Sequence, residues 1–96
     1  MTWEFEAELW RWKAQESWFF VSLPFDVADE IADVAAPGKG FGSVRVEVSI
    51  GPVTWRTSVF PSAEEKTYVL PVKKAVRVAN GVEEGDSCRL HLSLVQ

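Results

Sequence analysis

The sequence predicts a mainly β protein with two short helices: one domain over residues 1–96, folded as a six-stranded β-barrel built from two ββαβ repeats. Three observations predict it. Four segments alternate apolar and polar residues with period two, the signature of a half-buried strand, and two shorter apolar segments, "SWFFVSL" and "TYVL", read as strands beside them. Two segments of helical periodicity each follow a Leu-Pro step, at Leu23-Pro24 and Leu70-Pro71. The order strand, strand, helix, strand then occurs twice, and one such unit has too little surface to bury its own apolar face.

Each element has its own reason. "WEFEAELWRW" places Trp3, Phe5, Ala7 and Leu9 on one face and Glu4, Glu6 and Glu8 on the other, which ends in Trp10 and Trp12. "KAQE" breaks this strand, and "SWFFVSL" resumes as one apolar on both faces. Pro24 lacks the N–H that a strand ladder needs, so a helix is expected from Phe25 to about Ala36. Phe25, Ala28, Ile31 and Ala32 are its candidate core residues, with Asp26, Asp29, Glu30 and Asp33 mostly opposite. "PGKGFG" supplies turn residues to end it.

"SVRVEVSI" and "VTWRTSVF" flank Gly51-Pro52, and glycine suits the first position of a two-residue hairpin. That turn pairs Ile50 with Val53, Val48 with Trp55, Val46 with Thr57 and Val44 with Val59, giving one coherent inner face. "PSAEEK" reads as a loop and "TYVL" as a short strand. Pro71 is expected at the first position of a second helix, which ends at about Asn80 with Gly81 as its stop. "GVEEGD" turns the chain into a last strand, with Cys88, Leu90, Leu92 and Leu94 inward and Arg89, His91 and Ser93 outward.

The halves agree in detail. "FVSLPF" matches "YVLPV", and "SVRVEVSI" aligns with "SCRLHLSL". Counted from each proline, Phe25 matches Val72, Ala28 matches Ala75, Ile31 matches Val78 and Ala32 matches Ala79. The expected packing is two copies about a pseudo-twofold axis.

Composition narrows function. The chain has 96 residues, 47% hydrophobic, with five Trp and six Phe, so a thin core is filled with large rings. The net charge of -4 and a pI near 4.9 disfavour non-specific binding to nucleic acid or anionic membrane. No apolar run approaches the ~20 residues of a membrane span, and the acidic, alternating start does not read as a signal peptide. A lone cysteine, Cys88, excludes an intrachain disulfide. Together these point to the cytoplasm and its reducing chemistry.

The segments "FVSLP", "VEVSIGPVTWRTSVFPS" and "YVLPVKKAVRVANGVEEGD" resemble a bacterial family, DUF1905, from about Trp3 to Val95. The resemblance implies a double-split β-barrel. That architecture is similar to the swapped-hairpin domains of bacterial transition-state regulators and antitoxins, which form the barrel from two chains. The second half here is close to their strand–helix–"GD"–strand pattern. No family activity comes with the resemblance.

Chemical signals are few. No acid occurs from Thr67 to Val82, a span holding Lys73, Lys74 and Arg77. This is either an anion or phosphate contact, or a solvated face that answers the acidic helix of the other repeat. Arg77 could also pair with Asp86 or a strand Glu. Trp55 reads most simply as core, while Trp10 and Trp12 are either an exposed patch or a face covered by a helix. One His and one Cys do not make a metal site. Cys88 and His91 fall on opposite faces of one strand and form no nucleophile–base pair.

The expectation is therefore a non-catalytic binding or interaction module with no cofactor and no metal, a monomer or weak dimer, taking an unidentified small molecule or protein. Its candidate ligand residues are Trp55, Arg56, Lys73, Lys74 and Arg77. A nucleic-acid-binding regulator is the alternative, disfavoured by the acidic pI, and an enzyme with a hidden small-molecule pocket is the second alternative.

Overall fold

The computed structural model describes residues 1–14, 17–35 and 42–95. The chain runs β1 (Thr2–Arg11), β2 (Phe19–Ser22), α1 (Phe25–Ala35), β3 (Val44–Ile50), β4 (Val53–Ser62), β5 (Thr67–Pro71), α2 (Lys74–Asn80) and β6 (Ser87–Leu94). The six strands close an antiparallel barrel in the order β1-β2-β5-β4-β3-β6. Each strand sends a wholly buried side chain inward: Leu9, Val21, Leu70, Val59, Val48 and Leu92. The expected "PGKGFG" turn lies, apart from Gly42, outside the described residues.

Both ten-residue strands change partner midway. β1 pairs with β6 over Thr2–Glu8 and with β2 over Leu9–Arg11. β4 pairs with β3 over Val53–Val59 and with β5 over Phe60–Ser62. Each therefore leaves one edge of its first part without a strand neighbour, and the two openings are where the helices come in. α1 reaches β1 through Glu30, which accepts the Trp3 indole N–H at 2.7 Å. α2 reaches the β3–β4 hairpin through Asn80, whose Nδ2 donates to Ile50 O at 3.2 Å.

Exchanging β1 with β4, β2 with β5 and β3 with β6 maps the set of strand pairings onto itself, with β2–β5 and β3–β6 each mapping onto itself. The β3–β6 register shows the local symmetry: about the pair Val48–Leu92, Ser49–His91 mirrors Glu47–Ser93 and Ile50–Leu90 mirrors Val46–Leu94. In the same sense Trp3, which faces Leu92, corresponds to Trp55, which faces Val48.

The hairpin between β3 and β4 has the register its Gly-Pro turn predicts. Gly51 sits at φ +55°, and a Cβ added there would overlap Asn80 Oδ1. That side chain is held by two hydrogen bonds, to Ile50 O and to Val76 O.

α1 lies where expected and α2 ends where expected, but the start of α2 departs from expectation. Pro71 is not a first helical residue. It ends β5 opposite Phe20, and α2 begins three residues later with Lys73 at its N-cap and Gly81, at φ +62°, closing it. The late start rotates the helix. None of the four helix pairs matched from the prolines is buried in both halves. Ala28 and Ile31 are buried where Ala75 and Val78 are exposed, and Val72 is buried where Phe25 is exposed. α1 instead buries Val27, Ala28 and Ile31, and α2 buries Val76. Residues two apart in a helix lie about 200° apart, so a two-residue offset swaps the faces.

Candidate functional site: an aromatic and cationic groove

The β1–β2 hairpin closes with Trp12 N donating to Trp18 O at 2.9 Å, and Trp10 pairs with Phe20 inside it. Alternate residues share a face, so Trp10, Trp12, Trp18 and Phe20 all point outward. They form a continuous row of rings: Trp10–Phe20 centroids are 5.1 Å apart, Phe20–Trp18 6.3 Å and Trp18–Trp12 5.6 Å. No helix covers the outer two, since Trp12 is 38% and Trp18 51% exposed. Trp10 is half-buried, with its indole N–H donated to Ser22 Oγ at 2.9 Å. The face continues across β5 and β4 through Pro71, Val69 and Phe60. An outer sheet face is ordinarily polar.

This face is the floor of an open groove of about 1000 Å³. Its flanks are β4, through Trp55, Arg56 and Thr57, and the start of α2, through Lys73, Lys74 and Arg77. Trp55 is half-buried, packing against the core while also lining the groove. Arg56 is exposed and tied to Glu47 across the hairpin at 3.2 Å. Lys73 and Lys74 are exposed. Arg77 is half-buried, its guanidinium 3.8 Å over the Phe19 ring and its Nε donating to Val72 O at 3.3 Å.

All five residues marked from the sequence thus line one groove. Arg56 is answered by Glu47, whereas the three cations of the α2 segment are not answered among the described residues. Among the described residues no ion pair joins α1 to α2, and Lys73, Lys74 and Arg77 have no carboxylate partner. Asp86 bonds its own turn, accepting the Glu83 N–H at 2.8 Å. Three strand acids are engaged elsewhere, Glu47 with Arg56 and Glu4 and Glu6 with Arg89, which raises the Arg89 pKa chiefly through its hydrogen bond to Glu4. Glu64 is the one acid lining the groove among the described residues.

The sequence reading missed Trp18, Phe20 and Phe60 as site residues. The signal for the first two was present, because "SWFFVSL" is apolar on both faces though its strand belongs to an antiparallel sheet.

Nucleophilic chemistry finds no support in the placement of Cys88 and His91. Cys88 is buried in the core, and burial first, then the nearby Asp86 charge, pushes its thiol pKa up. His91 is exposed on the other face of the strand. No group of three His, Cys, Asp or Glu suited to a metal ion occurs among the described residues, and none of the described helices is long and apolar enough to cross a membrane.

A family model described as "Domain of unknown function (DUF1905)" matches residues 5–92. A comparison with curated proteins finds no match.

Proposed function

The chain belongs to the DUF1905 family, and from that premise we propose that this member is a non-catalytic binding module whose site is the aromatic and cationic groove. The observation that carries the proposal is the meeting of a cation cluster at α2, without a carboxylate partner among the described residues, with a row of rings on the outer face of the β1–β2 hairpin. Rings supply apolar area and face contacts, and cations that no described carboxylate neutralises supply an attraction to an anion. The matching ligand is a small molecule with an apolar, preferably aromatic, body and an anionic end. A single buried thiol and an acidic surface suit a cytoplasmic monomer.

Four of the five tryptophans line the groove, so indole signals report on it directly. Small aromatic anions and neutral analogues are titrated into the full chain and followed by the indole and α2 amide resonances. Groove resonances that move together at up to about a millimolar ligand support the proposal. A panel that leaves all four groove indoles unmoved sinks it.

The ring row favours one second reading. Successive bases of a single-stranded nucleic acid stack on such rings while cations hold the phosphates. Binding of an oligonucleotide at low salt that weakens steeply as salt rises would favour this reading. No retention at low salt removes it.

A further inference from the structure

We propose that the anionic end of the ligand is a carboxylate, received jointly by the indole N–H of Trp55 and the guanidinium of Arg77. The ligand class is then small carboxylic acids with an aromatic or aliphatic body. This rests on the groove being the binding site and names what it binds.

The molecule carries its own comparison. Trp3 and Trp55 occupy corresponding strand positions, Trp3 facing Leu92 and Trp55 facing Val48, which face each other. In the first half the adjacent helix supplies a carboxylate, and the Trp3 N–H donates to Glu30 at 2.7 Å. In the second half the adjacent helix is "KAVRVAN", which has no acid. Trp55 Nε1 has no acceptor among the described residues. No side-chain nitrogen or oxygen is buried there without a partner, so this N–H reaches solvent. One half satisfies its indole with an internal carboxylate, and the other leaves the same donor open beside a cluster of cations.

Arg77 is prepared for the second bond. Its contact with Phe19 and its Nε hydrogen bond to Val72 O fix the guanidinium, while its two terminal nitrogens make no ion pair among the described residues. A fixed guanidinium loses little freedom on taking up a planar carboxylate. Glu64 on the same groove penalises a polyanion laid along it more than a single charge. The row of rings then takes the body of the acid.

The test uses the full chain and four probes: 2-naphthylacetic acid, its primary amide, 2-naphthyl phosphate and an eight-residue oligothymidylate. Binding is read from the Trp55 indole N–H resonance and from titration. The acid is expected to shift that resonance and to bind about tenfold tighter than the amide, the scale of a charge-assisted hydrogen bond. Trp55→Phe, which keeps a ring but removes the donor, and Arg77→Met should each weaken the acid several-fold and the amide less, so that the acid-to-amide preference shrinks; a preference that both variants keep overturns the assignment. Each variant's amide spectrum shows whether it is folded. Wild-type acid and amide binding alike, or an acid that leaves Trp55 unmoved, overturns the assignment. So does a phosphate ester or oligothymidylate that binds tenfold tighter than the acid through the same two residues. If none of the four probes reaches the groove, the binding-module proposal itself has failed. If the amide or the phosphate binds there and the acid does not, only the carboxylate assignment has failed.

Discussion

Gly51→Ala tests the link between the β3–β4 hairpin and the helix that carries the groove's cations. Two costs add. An alanine at φ +55° carries left-handed strain of about 1 kcal/mol. Its Cβ would also overlap Asn80 Oδ1, so the amide must move and give up its hydrogen bonds to Ile50 O and Val76 O, each worth about 1 kcal/mol. The single substitution should therefore cost about 3 kcal/mol, a large share of a small domain's stability. Asn80→Ala alone should cost about 2 kcal/mol. With that amide already gone, Gly51→Ala should cost only its strain of about 1 kcal/mol, so the two residues couple by about 2 kcal/mol. Urea unfolding of wild type, both singles and the double supplies the four free energies. Additive effects, with coupling under about 0.5 kcal/mol, would refute the idea that the turn glycine makes room for Asn80.

Val76 is the buried residue of α2, and a seven-residue helix is not stable alone. Val76→Ala removes two methyl groups from a fully buried site, costing about 2 kcal/mol and about 10 °C in melting temperature; a shift under about 3 °C by circular dichroism would contradict this. The Cys88 thiol has its folded pKa raised above the ordinary 9.0, chiefly by burial. Its neutral form is the stable one in the fold, so its contribution is full below the ordinary value and is lost as pH rises beyond it. Wild type should lose stability above pH 9.0 more steeply than Cys88→Ala does, and equal slopes in urea unfolding would count against the assignment. Glu47→Gln releases Arg56 at the groove flank while removing an exposed ion pair, so stability should change by under about 1 kcal/mol while affinity for the aromatic acid rises. Titration showing unchanged or weaker binding would argue that Arg56 does not face the ligand.

Strands were more legible than helices, for a physical reason. A strand's period of two fixes which residues point inward once any one is placed, and a two-residue turn fixes the partner. Trp3, Phe5 and Leu9, the hairpin from Val44 to Val59, and Cys88 to Leu92 all follow from alternation alone. Helix phase depends on where the first turn begins. The two Leu-Pro steps look alike, yet Pro24 precedes α1 directly while Pro71 stays in β5 against Phe20. Pairing with β2 outweighs the propensity of proline for a first helical turn, and local sequence does not encode that competition. The groove was half legible. Its cations stand together in the chain at Lys73, Lys74 and Arg77, but its floor is assembled from β1, β2, β4 and β5, whose adjacency only the barrel order reveals.

The late start of α2 also accounts for why the groove lies beside the second helix. α1 has 11 residues, begins at the end of its proline step and buries Val27, Ala28 and Ile31, so it fills the opening beside β1 and meets Trp3 with Glu30. α2 has 7 residues and buries one of them. The three residues that α2 gives up at its start are Pro71, Val72 and Lys73, and all three line the groove. Symmetry of the strands makes two openings, while asymmetry of the helices closes one and leaves the other lined with cations. The acidic helix satisfies an indole that its own half presents. The basic helix does not, because Lys and Arg have no acceptor to offer a donor and the amide of Asn80 is turned to the β3–β4 hairpin. A charge reversal between the halves thus turns an internal hydrogen bond into an open pair of donors, and that pair is what a carboxylate from outside would meet.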